Sequence, residues 1–148
     1  AVALTLCDFQ TPVLLSLSMH REEVVKYLRF HTGAPMAQRM DEAHFAFLAA
    51  DDRGLDARAF AQGTHEYPDR SATLVVQAHG FTQDDVELTG PGIRTAAGFG
   101  VKGLRPSFWE AMAENHARFP AGVDVIFTSA SGIAALPRST AIRLKEAV

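Results

Sequence analysis

Two short clusters hold the residue types that could bind an anion. Arg29-Phe30-His31-Thr32-Gly33-Ala34-Pro35 brings a guanidinium, an imidazole and a hydroxyl to a predicted helix end, and Leu136-Pro137-Arg138-Ser139-Thr140 sets an Arg and two hydroxyls at a strand junction. A planar, permanently charged guanidinium beside further donors suits phosphate-like groups. Both clusters also have a plain structural use, since cations are favoured at helix C-termini and an Arg in a Pro-Arg-Ser turn is an ordinary exposed charge. Arg29, His31, Thr32, Arg138, Ser139 and Thr140 are therefore the candidate anion- or partner-binding residues. No catalytic residue is assigned.

Other chemistries find less support. Only Lys26, Lys102 and Lys145 are available for a Schiff base, and of these Lys102 alone is a candidate. Gly98-Phe99-Gly100-Val101-Lys102-Gly103 has the spacing of a dinucleotide-binding loop, but that loop needs a strand before it and a helix opening inside it. Arg94-Thr95-Ala96-Ala97 is weak as a strand, and Arg105-Pro106 interrupts any helix opening from the glycines. There is no Gly-x-Ser-x-Gly elbow, and Thr128-Ser129-Ala130-Ser131-Gly132 reads as a turn. His-x-x-x-His, Cys-x-x-Cys and calcium-loop patterns are absent, so neither a metal nor a cofactor is expected. The neighbouring acids Asp51-Asp52 and Asp84-Asp85 need not converge, His65 lies in a polar loop, and His20, His44, His79 and His116 have no partner readable from spacing.

These residues must be positioned by one domain. The chain has 148 residues, 47% hydrophobic and 21% charged, enough to build a core without staples. Its net charge of −3 and scattered basic residues disfavour nucleic acid. A single cysteine, Cys7, points to a reducing compartment, read as the cytoplasm. No apolar stretch approaches the ~20 residues of a membrane span.

Element by element, Ala1–Cys7 reads as the end of a helix and Val13–Leu17 as a buried strand. Ser18 suits the N-cap of a helix running to about Phe30, with Val24, Val25 and Leu28 as its buried stripe, Glu22–Lys26 as an i,i+4 pair, and Gly33 and Pro35 as its stop. Phe45–Leu48 is a short strand and Leu55–Gln62 a brief helix closed by Gly63. Ala72–Ala78, dense in β-branched residues, is the central strand. Val86–Leu88 pairs across Thr89-Gly90-Pro91-Gly92 with the region from Ile93. Pro106 and Ser107 open a helix in which Ser107 and Glu110 have capping-box spacing, and Phe108, Trp109, Met112 and Ala113 face the core. Strands at Val123–Thr128, Ile133–Leu136 and Thr140–Leu144 complete the chain. This order predicts an α/β fold with a mixed sheet covered by helices.

Leu28–Pro35, Ser71–Gln77, Leu88-Thr89-Gly90-Pro91-Gly92-Ile93, Phe119–Thr128 and Ile133–Thr140 together resemble the PhnH family, the H subunit of the carbon–phosphorus lyase system for phosphonate use. The blocks occur in the family's order from Thr11-Pro12-Val13 to Thr140. The resemblance implies a three-layer α/β/α fold similar to the large domain of pyridoxal-phosphate transferases, without that cofactor or its lysine. It also implies a homodimer in isolation and a core complex with the G, I and J subunits. Within that system phosphonate is installed on the anomeric ribose carbon of ATP and adenine is displaced, with this chain mainly an assembly subunit. Family members carry a further N-terminal, Arg-rich helical segment, so the sequence is expected to be part of a longer chain. The alternative is an independent transferase, using Lys102 with pyridoxal phosphate or Arg29, His31 and Arg138 with a nucleotide.

Overall fold

The computed structural model describes residues 1–145, in the order α1 (Val2–Leu6), β1 (Val13–Leu15), α2 (Glu22–Thr32), β2 (Phe45–Ala49), β3 (Thr73–Gln77), β4 (Phe81–Thr89), β5 (Ala97–Val101), α3 (Pro106–Ala117), β6 (Asp124–Thr128), β7 (Ile133–Leu136) and β8 (Ala141–Leu144). β1, β2, β3 and β6 run parallel in that spatial order, and β7 closes the edge antiparallel to β6. The main sheet is therefore mixed, as the alternation of elements predicts. The remaining strands do not join it. β5, β4 and β8 form a separate antiparallel sheet, so the expected single sheet is two.

Strand alternation sorts the side chains. Ala46, Leu48, Leu74, Val76, Val125, Phe127 and Leu136 face one way, into a core shared with Phe108, Trp109 and Met112 of α3 and with Val86 and Val101 of the small sheet. On the opposite face Val13 and Leu15 pack with Leu28 of α2, Cys7 and Ala34, with Phe45 and Phe47 beside them. Trp109 joins the parts. Its ring lies 6.0 Å from those of Phe99 and Phe127, and its Nε1 donates to Asp85 Oδ2 at 3.2 Å. Asn115, wholly buried, uses its amide as a surrogate strand: Nδ2 donates to the Val123 carbonyl at 2.9 Å and Oδ1 accepts from the Val123 amide at 2.8 Å.

Several local expectations are corrected. Ser18 does not cap α2; Met19 and His20 turn back onto the Ser16 carbonyl, Arg21 is the N-cap, and the Ser18 hydroxyl goes elsewhere. In α2 only Leu28 is fully buried; Val25 packs beside it, and Val24, 36% exposed, lines a cavity with Leu28, Leu15 and Phe47. The brief helix at Leu55–Gln62 shrinks to a 3₁₀ turn at Ala57–Ala59, because Gln62 Nε2 takes the Ala57 and Phe60 carbonyls. Ser107 lies inside the first turn of α3, which starts at Pro106 with Arg105 as N-cap, so the capping box does not form. Buried positions there are Phe108, Trp109, Ala111 and Met112, with Ala113 only half-buried.

The Gly98–Gly103 match is a packing device. β4 bulges between Thr82 and Val86, bringing its backbone against β5. A Cβ at Gly98 would sit 2.6 Å from the Gln83 carbonyl, and one at Gly100 would meet Thr82 Oγ1 and the Asp85 carboxyl group. Gly100→Ala is accordingly expected to cost about 2–3 kcal/mol by overpacking. A denaturation midpoint indistinguishable from that of the parent chain would contradict this account.

Candidate functional site

The Arg29 cluster forms the last turn of α2. Gly33 ends the helix in a left-handed conformation (φ 70°), its amide donating to the Arg29 carbonyl at 2.9 Å. Thr32 is absorbed by this ending: its hydroxyl donates to the Leu28 carbonyl at 2.6 Å and accepts from the Ala34 amide at 3.1 Å. Arg29 and His31 remain exposed. The His31 ring lies 4.3 Å from Tyr27 and 5.0 Å from Phe30, and Phe30 is 86% exposed. Tyr27 and Phe30 make the outward side of the last turns of α2 aromatic, while Val24, one turn before Leu28, lines a cavity with Leu28, Leu15 and Phe47.

Arg138 is inside the fold. Its Nε reaches both Asp124 oxygens at 3.2 Å, Nη1 donates to the Pro68 carbonyl at 2.7 Å and the Pro120 carbonyl at 3.3 Å, and Nη2 donates to Ser71 Oγ at 2.7 Å and Asp124 Oδ2 at 2.6 Å. Every nitrogen of the fork is engaged, and the Arg138 amide donates to Asp124 Oδ1 as well. The guanidinium clamps the amino ends of β3 and β6 and holds no donor in reserve for an outside anion. Thr140 is buried, and Ser139 lies half-buried at a shallow cavity bounded by Pro68, Asp69, Phe119 and Pro120. The structure does not join the two clusters: one rides on α2 over β1 and β2, the other sits under β3 and β6.

Residues that sequence spacing did not bring together meet at the carboxyl ends of the parallel strands, where open α/β sheets usually present polar groups. Ser18 Oγ donates to Asp52 Oδ1 at 2.6 Å, the Ala49 amide donates to Asp52 Oδ2 at 2.7 Å, and the Ser16 and Ser18 hydroxyls are 3.0 Å apart. Burial pushes the Asp52 carboxyl up, but the Ser16 and Ser18 hydroxyls and the Ala49 amide outweigh it and hold the group below its ordinary value. Asp51 turns away from this network, its Oδ2 3.5 Å from His79 Nε2, so the adjacent acids diverge. A cavity of about 380 Å³ next to Ser18 is bounded by Arg21, Leu28, Phe47 and Gln77.

A carboxyl group with a depressed pKa stabilises the fold above its unfolded pKa, and that contribution is lost as pH falls through the folded value. Asp52→Asn is thus expected to flatten the acid side of the stability profile below about pH 4, the range of an ordinary Asp. Identical acid limbs for the parent and variant chains would refute it.

The other reactive types are placed without a common centre. Lys26 pairs with Glu22 at 2.6 Å on the surface, Lys102 is exposed with its stem beside Gly80, and Lys145 Nζ donates to the Gln83 carbonyl. Asp85 is committed to the Val101 amide and Trp109. The Cys7 thiol is pushed up to about 11 by burial and then by Asp8, so it stays protonated and unreactive at neutral pH. Among the described residues, no three His, Cys, Asp or Glu side chains converge for a metal ion, and no helix is long and apolar enough to cross a membrane.

A family model described as "Bacterial phosphonate metabolism protein (PhnH)" matches residues 1–143. The chain belongs to the PhnH family. This PhnH chain is 43% identical over 143 residues to the alpha-D-ribose 1-methylphosphonate 5-triphosphate synthase subunit PhnH of Rhizobium meliloti (strain 1021), covering 95% of this chain and 70% of that protein. It is 38% identical over 102 residues to the provisionally named C-P lyase subunit protein HtxG of Stutzerimonas stutzeri, covering 68% of this chain and about half (52%) of that relative.

Proposed function

We propose that this PhnH chain is a subunit of a phosphonate-processing assembly, acting as a docking body instead of carrying reacting groups. The family match along residues 1–143 and the subunit names of the relatives support membership in such an assembly, and the docking role rests on how the side chains are committed. In the proposed reaction a phosphonate oxygen forms a bond to the anomeric carbon of the ribose of ATP as the bond to adenine breaks, and the departing base takes up a proton. Such a transition state carries oxocarbenium character and calls for converging acid and anion-binding groups. Here Arg138 is consumed internally and the paired acids diverge, which favours placing the reacting groups on partner chains.

The finer reading names the G, I and J subunits as those partners, a homodimer in their absence and a cytoplasmic setting. Arg29 and His31, exposed beside Tyr27 and Phe30, are better placed for contact with a partner than for holding a substrate anion. A kinship with the large domain of pyridoxal-phosphate transferases is in keeping with the mixed sheet. Lys102, exposed on the surface, gives little support to a retained Schiff base.

The test is co-expression of the chain with the other subunits. The expected result is recovery in one complex that releases adenine from ATP and a phosphonate, while the chain alone gives no adenine and no melting shift with ATP or pyridoxal phosphate. Failure to enter the complex, or adenine release by the chain alone, would overturn this reading.

A further inference from the structure

This inference rests on the homodimer of the reading above and deepens it by naming the surface. A cavity of about 210 Å³ opens at the carboxyl ends of β1 and β2, on the face of the main sheet opposite α1 and α2. Its floor is Leu14, Leu48, Leu55 and Phe60, which continue the main core. Its rim is apolar as well, with Leu17 98% exposed and Met40 39% exposed. Single exposed apolar side chains are ordinary on a protein surface. These two converge on an open apolar floor, which is the arrangement of a contact site. The rim also holds two charges. Asp52 is fixed by the Ser18 hydroxyl and the Ala49 amide, Arg53 follows it in the chain, and neither has an ion pair among the described residues.

One patch thus presents a knob, a socket, an anion and a cation. A two-fold contact brings residue i of one copy to residue j of the other and j to i, so it requires a patch carrying both halves of every match. We propose that two copies of this chain pair through this patch, Leu17 of each entering the other's cavity and Arg53 of each meeting the other's Asp52. Size permits the insertion, because a cavity of about 150 Å³ lined by Leu, Ile and Phe admits benzene, a larger body than a leucine side chain. Other occupants fit less well. Ala3 and Cys7 pack with Val25 and Leu28 on the opposite face, so any chain preceding Ala1 enters from the far side of the sheet. A different subunit would have to bring its own knob and its own pair of charges in register, which a second copy already possesses.

The test uses the full-length chain purified without the other subunits, with a photo-crosslinking residue at position 17 and isotope-labelled and ordinary copies mixed before irradiation. The expected adducts join a labelled copy to an ordinary one and map to Leu14, Leu48, Leu55 or Phe60. Leu17→Asp would bury an unpaired charge, and Arg53→Glu would set like charges against each other. Both positions are exposed, so each variant is expected to keep the parent's circular-dichroism spectrum while its self-association weakens about tenfold or more by sedimentation. A dimer whose adducts lie elsewhere or within one polypeptide, or variants that both associate as the parent does, would overturn the proposal and leave the homodimer standing. Adducts from position 17 only to another subunit, formed once the subunits are added, would assign the patch to that partner and overturn it equally. A parent chain that stays monomeric at every concentration would remove the homodimer, and this inference with it.

Discussion

Arg138→Ala is expected to destabilise the chain by about 2–4 kcal/mol, because it strips hydrogen bonds from a partly buried carboxylate and from groups on distant segments. Asp124 loses its ionic partner, and the Pro68 and Pro120 carbonyls and Ser71 hydroxyl lose their donor. For a chain of this length, the loss would lower Tm by roughly 5–15 °C. Arg138→Lys should recover only part of it, since an ammonium cannot reproduce the planar fork that meets Asp124 and the Pro68 carbonyl together. The same variants separate two views of this residue. A clamp predicts a large melting shift; a ligand contact predicts an unchanged melt with weakened phosphate binding. An Arg138→Ala chain that melts like its parent would show that the internal bonds are dispensable.

The second large effect belongs to Trp109. Trp109→Ala is expected to cost about 3–5 kcal/mol, the range for deleting a buried aromatic ring. The ring touches Phe99 of β5, Phe108 of its own helix and Phe127 of β6, so the cavity would open where α3, the small sheet and the main sheet meet. Trp109→Phe keeps much of the ring but leaves Asp85 without its Nε1 partner, and should cost about 1–3 kcal/mol. Chemical denaturation of the three chains tests the order. Equal midpoints for Trp109→Ala and Trp109→Phe would mean that the ring's bulk contributes little.

How far the sequence carried these features depended on how local their causes are. α3 was legible because Pro106 and the Phe108–Trp109–Met112 spacing act within one helix. β3 was legible because a run of β-branched residues suits a strand covered on both faces. The start of α2 was misread because Ser18 bonds Asp52, 34 residues away, once β1 and β2 pair. Division into two sheets was hidden for a similar reason: β4 and β8 pair across more than fifty residues, with no local turn to announce it. At the candidate site the residue types were readable and their commitments were not. Arg138 has the chemistry of an anion receptor, yet Pro68, Ser71, Pro120 and Asp124, drawn from separate segments, saturate it. Arg29 and His31 were located correctly at the end of α2, where the aromatic rings beside them suit contact with a protein surface.

The most direct test of a chain that docks without reacting is adenine release by the complete assembly built with Lys102→Met or His79→Ala in this subunit. Lys102 is the Schiff-base candidate and is exposed, and His79 is an exposed imidazole whose Nε2 lies 3.5 Å from Asp51 Oδ2. The account predicts turnover per assembled complex within about twofold of the parent for both. A fall of about 100-fold or more with the complex intact, the size expected for losing an acid–base group, would contradict it.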